Sequence, residues 1–402
     1  MMENSSRKFF TKDYVTVIIY IFLFYAGGSV INSFLAPFLK ENMGVSDVQI
    51  GFLLATGPMA SLLIQPFWGL KADRSRFKNT VLIVLLAGTL AAALLIPLYS
   101  RITMSANILF WFTAAGMLLL NCFQTSTIPM TDAIMIELSQ ERKWDFGRLR
   151  IAASVGYSAM GLLAGIIIGG VLLMMFPLYA GLSFLAIVAA FFIPKVPGRQ
   201  KEKIRMPYLQ LLKNRGLVKI VGIGLVCSLT LSMHYSFYSI YFLQIGGTTA
   251  MLGLAVFVAS VVELPFSIFS KKIIKKMGGN ENMMLLAMGI MSVRWFLSSL
   301  ARTPLQLLLI NSLHCLAFVV LNICVALYIS ENVAPELKAS GQAFNGVAGG
   351  IARILGNIGS GLIVGRWGVP VMFAAATGIN VLFLAVFLGI KIVNNRRKKN
   401  EN

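Results

Sequence analysis

Apolar stretches of about 20 residues, separated by short polar loops, recur from one end of this chain to the other. A helix rising 1.5 Å per residue needs roughly 20 residues to cross about 30 Å of hydrocarbon. Hydrocarbon offers a peptide group no water to bond, so such a stretch has to be helical. The spans read approximately 14–39, 48–70, 79–99, 106–134, 150–173, 175–194, 218–243, 249–270, 282–301, 304–330, 338–365 and 368–393. Only 12% of the residues are charged, where soluble domains carry about 25%. The expected fold is an all-α integral membrane protein of twelve transmembrane helices.

A net charge of +20 would suit nucleic acid, but its distribution points elsewhere. Basic clusters at Lys71 to Lys78, Arg142 to Arg150, Lys195 to Lys219, Lys271 to Lys276 and Lys391 to Lys399 flank alternate spans. Roughly 29 of the 35 Lys and Arg therefore fall on one side of the membrane. Lys40, Arg101, Arg302 and Arg366 fall on the other, and Arg294 and Arg353 lie within spans. By the positive-inside pattern both termini are cytoplasmic, and no nucleic-acid partner is expected. The opening MMENSSRKFFTKDY lacks a small-residue cleavage site and reads as a retained cytoplasmic tail. Cys122, Cys227, Cys315 and Cys324 all sit in apolar runs without metal-ligand spacing, as small core residues. No metal or cofactor is implied.

The longest polar segment, KVPGRQKEKIRMPYLQLLKNRGL, divides the chain near its middle. Residues 1–194 form one expected six-helix bundle, 195–217 a cytoplasmic linker and 218–402 a second bundle. A weak internal repeat supports this: IQPFWGLKADR (Ile64 to Arg74) corresponds to ELPFSIFSKKI (Glu263 to Ile273). Two pseudo-symmetric halves with a ligand site near midplane are the expected consequence. Span 5 carries Gly156, Gly161, Gly165, Gly169 and Gly170, and span 11 carries Gly346, Gly349, Gly350, Gly356, Gly359 and Gly361. Small residues let helix backbones approach closely in lipid, so these read first as packing positions.

Ionisable residues within spans are expensive and mark a pathway. The candidates are Asp132, Arg150, His234, Glu263, Arg294, His314 and Arg353. Between spans 2 and 3, the segment Gly69-Leu70-Lys71-Ala72-Asp73-Arg74-Ser75-Arg76-Phe77-Lys78 resembles the major facilitator signature. That resemblance assigns Gly69, Asp73 and Arg74 to a conformational loop, with Asp73 stabilising one closed state.

A more specific likeness follows. PMTDAIMIELSQERKWDFGRLRIAASVGYSA (Pro129 to Ala159) resembles spans 4 and 5 of the lactose permease group of oligosaccharide:proton symporters, with the spacing from Asp132 to Arg150 kept. GGNENMMLLAMGIMSVRWFLSSLA and INSLHCLAF resemble its spans 9 and 10, including Arg294 and His314, and Glu263 falls at its span 8 acid. The resemblance implies a substrate site of Asp132, Arg150, Tyr157 and His314, with Arg150 donating a bidentate fork to hydroxyls. It implies proton coupling through Glu263, Arg294 and His314, and a monomer in the bacterial inner membrane. Departures are equally plain: Ala317 and Asn311 stand where the group has charges, span 7 has no Asp, and Phe266 replaces a sugar-contacting Asn. Glu263-Leu264-Pro265, Arg294-Trp295 and Leu313-His314 fit the phenylpropionate permease branch better, which argues against lactose itself.

The implied function is proton-coupled uptake of a small polar solute such as a sugar or glycoside. An aromatic acid, a nucleoside, or drug efflux by antiport are the alternatives, as is a non-transporting sensor or scaffold. A membrane enzyme would need a convergent catalytic set, and two histidines without H-E-x-x-H or paired acids supply none.

Overall fold

A computed structural model describes residues 11–99, 105–198, 208–334 and 337–400, and every regular element in them is a helix. In order these are α1 (Lys12–Glu41), α2 (Asp47–Leu63), α3 (Gln65–Arg74), α4 (Lys78–Tyr99), α5 (Ala106–Arg142) and α6 (Phe146–Ile168). A short 3-10 turn, Leu172–Met174, leads into α7 (Met175–Phe191). After α8 (Tyr208–Lys213) come α9 (Arg215–Gln244), α10 (Thr249–Lys276), α11 (Asn280–Leu300), α12 (Pro304–Asn311), α13 (His314–Asn332), α14 (Lys338–Trp367) and α15 (Val369–Asn400). Polar caps set the starts of several: Ser46 with Gln49 boxes α2, Thr303 with Gln306 boxes α12, and Asn214 caps α9.

Among the described residues nine helices are long and apolar enough to cross a membrane, or ten if α2 and α3 form one bent span. Sequence reading expects twelve, and two spans account for the difference. Of α10, a continuous helix, the described apolar stretch is Thr249–Glu263. The tenth expected span is split into α12 and α13, of which Ile323–Asn332 is the described apolar stretch. Ser312 N and Leu313 N bond back three residues, to Leu309 O and Ile310 O, so the chain overwinds at the join. The α2/α3 pair bends by 40° beside Pro66, which has no N–H for the carbonyl of Leu62. The first ten residues, much of the expected linker and the side chain of Cys315 lie outside the described set.

The helices cluster into two compact units: one takes in the chain through residue 202 with 248–257, the other 203–247 with 258–402. In the first, α1 packs on α6 and α7, while α4 packs on α5 and α7. In the second, α9 packs on α14 and α15, while α11 packs on α13 and α15. The same pattern of neighbours thus occurs twice, as the internal repeat suggests. Glycine makes the closest approach possible in each unit. A Cβ on Gly156 of α6 would lie 2.4 Å from Phe22 O of α1, and one on Gly356 of α14 would lie 2.3 Å from Leu229 O of α9. Leu63, Trp111, Phe184 and Phe192 project outward, as a lipid-facing surface requires.

Gly356→Ala drives a methyl into backbone of α9 and is expected to cost about 1–3 kcal/mol. Gly359→Ala, one turn along the same helix and open around its Cα, is expected to be neutral or stabilising. Melting curves of the detergent-solubilised variants followed by size-exclusion chromatography check the contrast.

Candidate functional site

In the first unit the structure brings Asp132 of α5 and Arg150 of α6 together. Arg150 Nη1 lies 3.3 Å and 3.4 Å from the two carboxylate oxygens. One nitrogen is shared between both oxygens, at lengths beyond the 2.7–2.9 Å of a strong charge-assisted bond. The same nitrogen donates to Tyr25 Oη at 3.4 Å. Nε and Nη2 of Arg150 make no hydrogen bond among the described residues, and the side chain is 53% exposed. The guanidinium is therefore tethered on one side and open on the other.

An aromatic face from α1 borders this pair. Tyr20 stacks on Phe24, and Phe24 meets Tyr25 edge to face. Tyr20 Oη is tied to Thr131 Oγ1 at 2.7 Å, which anchors α1 beside Asp132. Tyr157 lies half-buried on α6, two turns beyond Arg150. Tyr25 was not singled out from the sequence, because a tyrosine in an apolar span is ordinarily core. Two acids lie on this part of α5, and the structure separates their roles. Glu137 forms an ion pair with the buried Lys78 of α4, leaving Asp132 to Arg150.

The signature segment ends α3 and enters α4. Gly69 has open space around its Cα, Asp73 is half-buried and Arg74 is exposed. The strand-like stretch after α7 closes on this turn. Lys78 N donates to Val196 O at 2.9 Å, Val196 N donates to Asn79 Oδ1 at 2.8 Å, and Lys195 Nζ lies 5.2 Å from the centre of the Phe77 ring. Gly198 packs on the end of α3 so closely that a Cβ would meet Ser75 O at 2.2 Å.

In the second unit the centre is Arg294 of α11, only 1% exposed. Nη1 bonds His314 Nδ1 at 2.9 Å, while Nη2 bonds His234 Nε2 at 2.9 Å and Asn311 Oδ1 at 2.5 Å. Its guanidinium carbon stands 4.7 Å from the centre of the Trp295 ring. His314 Nε2 in turn meets Tyr235 Oη at 2.9 Å. Asn311 and His314 flank the break between α12 and α13, so the overwound turn presents both side chains to Arg294. The resemblance assigns Arg294 and His314 to the same role without joining them; the structure joins them and adds His234 and Asn311. Glu263 lies half-buried on α10, two residues before Pro265, and Arg353 is exposed on α14. The side chain of Ala317 lies outside the described set.

The MFS_1-like family profile matches residues 14–375. The chain belongs to this family of major facilitator transporters. It is a multi-pass membrane transporter and not an enzyme. Within the family's wider kin, the maltose permease of Geobacillus stearothermophilus is 26% identical over 377 residues, covering 91% of this chain and 92% of that one. The lactose permease of Citrobacter freundii is 24% identical over 328 residues, covering 76% and 77%. The fold of this MFS_1-like protein is also that of the solved nucleoside transporter NupG, with a TM-score of 0.81 at 16% identity over 94% of this chain and 99% of that one.

Tyr25→Phe removes the hydroxyl that shares Arg150 with Asp132. The half-saturation concentration for transport is expected to rise about three- to tenfold with little change in maximal rate. Tyr20→Phe, whose hydroxyl bonds Thr131 instead, is expected to leave it within about twofold. Initial-rate uptake by cells expressing each variant checks this.

Proposed function

We propose that this transporter is a proton-coupled symporter that takes up a small polar solute, a sugar or glycoside, across the bacterial inner membrane. On this reading the chain crosses twelve times with both termini in the cytoplasm and works as a monomer by alternating access. The observation that carries the substrate class is the half-open Asp132–Arg150–Tyr25 group. It offers a carboxylate to accept from hydroxyls, guanidinium donors to give to them, and aromatic rings alongside. Oily drugs need few fixed donors, so such a group favours a polar solute over drug efflux. Two relatives bear the names of disaccharide permeases, which supports the same class.

A second reading is an aromatic carboxylate. It is favoured by Arg150 standing beside the rings of Phe24 and Tyr25, where an anionic group would meet the guanidinium and a ring would meet the aromatic face.

Glu263 carries the proton on this proposal, and Arg294 with His314 sets when it is held or released. A charge inside a span is expensive unless it is neutralised, so a carboxyl that loads and unloads a proton can cross only in one state. Signature residues Gly69, Asp73 and Arg74 serve the conformational change, because the turn they form is clasped by residues 195–198.

The test is uptake into membrane vesicles under an imposed pH gradient, with radiolabelled maltose, lactose, uridine and 3-phenylpropionate, with and without a protonophore. Gradient-driven accumulation of one class is expected, abolished by protonophore. Glu263→Gln is expected to lose accumulation at least tenfold while sparing exchange. Accumulation that survives in Glu263→Gln would remove Glu263 from the proton path, and flux indifferent to the gradient would make the protein a facilitator.

A further inference from the structure

We propose that His234 and His314 form a clamp of two neutral histidines on Arg294, locked in opposite tautomers, and that His234 is a positioning residue for transport. The proposal rests on the reading above only in taking Arg294 as part of the transport machinery.

An arginine side chain can give hydrogen bonds but cannot accept them, because its guanidinium stays protonated. Each nitrogen facing it at bonding distance must therefore carry a lone pair. His314 Nδ1 and His234 Nε2 both face it, at 2.9 Å. An imidazolium has no lone pair, so both rings are neutral while these bonds stand. The proton of His314 is then on Nε2, where it points at Tyr235 Oη. The proton of His234 is on Nδ1, the opposite arrangement.

That second assignment sets His234 apart from an ordinary core histidine. Its ring is 3% exposed and packed among Tyr238, Trp295 and Phe373, with centroids at 4.7, 4.8 and 6.0 Å. Nδ1 is fully buried and has no hydrogen-bond partner among the described residues. Leaving a buried N–H unmet is unfavourable, and buried polar atoms are nearly always paired. The ring accepts this in order to turn its one acceptor towards Arg294. Together with Asn311 Oδ1, the two histidines hold the guanidinium by three neutral acceptors drawn from α9, α12 and α13. These three contacts fix its direction without cancelling its charge. His234 thus acts through Arg294, and what it supplies is a lone pair at the Nε2 position.

Both parts of this can be measured. The chain has two histidines, so solid-state NMR of protein labelled with 15N-histidine reports two rings, assigned with a His314→Asn variant. At neutral pH one ring is expected to be protonated at Nδ1 alone and the other at Nε2 alone. Two Nε2–H rings, or either ring as imidazolium, would overturn the clamp. The positioning role is read by counterflow in proteoliposomes of maltose, uridine or 3-phenylpropionate, whichever the wild-type protein exchanges. His234→Gln sets an amide oxygen near the Nε2 position, whereas His234→Asn sets its amide near Nδ1. With equal yields of folded protein, Gln is expected to keep the half-saturation concentration within about twofold, and Asn to raise it about tenfold or more. Equal behaviour of the two variants would reduce His234 to packing. The spectrum needs no substrate and counterflow needs no gradient, so failure of the clamp is distinct from failure of proton-coupled symport.

Discussion

A peptide group in hydrocarbon finds no water, and this single constraint governs the rest of the molecule. Every backbone donor must be met inside its own segment, so the described chain is helical wherever it is regular. With no hydrophobic drive to press helices together in lipid, contact has to come from shape. Gly156 against Phe22 O, and Gly356 against Leu229 O, show how it is obtained: removing Cβ lets two backbones touch. A glycine performs this role in each unit, on the fifth expected span against the first and on the eleventh against the seventh.

The same constraint makes each polar group within a span consequential. Lys78 and Glu137 neutralise one another between α4 and α5. Asp132 and Arg150 sit at long range, with Tyr25 sharing the guanidinium, and remain half-exposed. Arg294 is at the other extreme, buried and held by His314, His234 and Asn311. A loose, open charge pair suits a ligand that comes and goes; a buried, fully directed guanidinium suits a group whose orientation must be kept. The two units share a helix pattern and differ in what they do with arginine.

Breaks in the helices fall beside these groups. The turn between α12 and α13 replaces i→i−4 bonds by i→i−3 bonds at Ser312 and Leu313, and its flanking residues Asn311 and His314 are ligands of Arg294. The bend at Pro66 sits just before the signature turn, which residues 195–198 then clasp. Irregular backbone in a membrane helix is tolerated where neighbouring protein satisfies it. Here it coincides with charge at one break and with the clasped signature turn at the other.

Length and hydropathy of the segments, read along the chain, determined the all-helical membrane fold, because the thickness of hydrocarbon and the peptide hydrogen bond are the same for every sequence. The spacing from Asp132 to Arg150 and the positions of Arg294 and His314 were legible for a related reason: an ionisable residue in an apolar span stands out. Tertiary structure alone decided the rest. Tyr25 is an uncharged residue on a helix distant in sequence from Arg150, and no local pattern distinguishes it from core; His234 and Asn311 were marked in the sequence, but that both meet Arg294 is decided by packing. Which acid pairs with Arg150, and which with Lys78, depended on the packing of α4, α5 and α6. A carboxylate's partner is set by where three helices place their side chains, and that rotation is not written in any one of them.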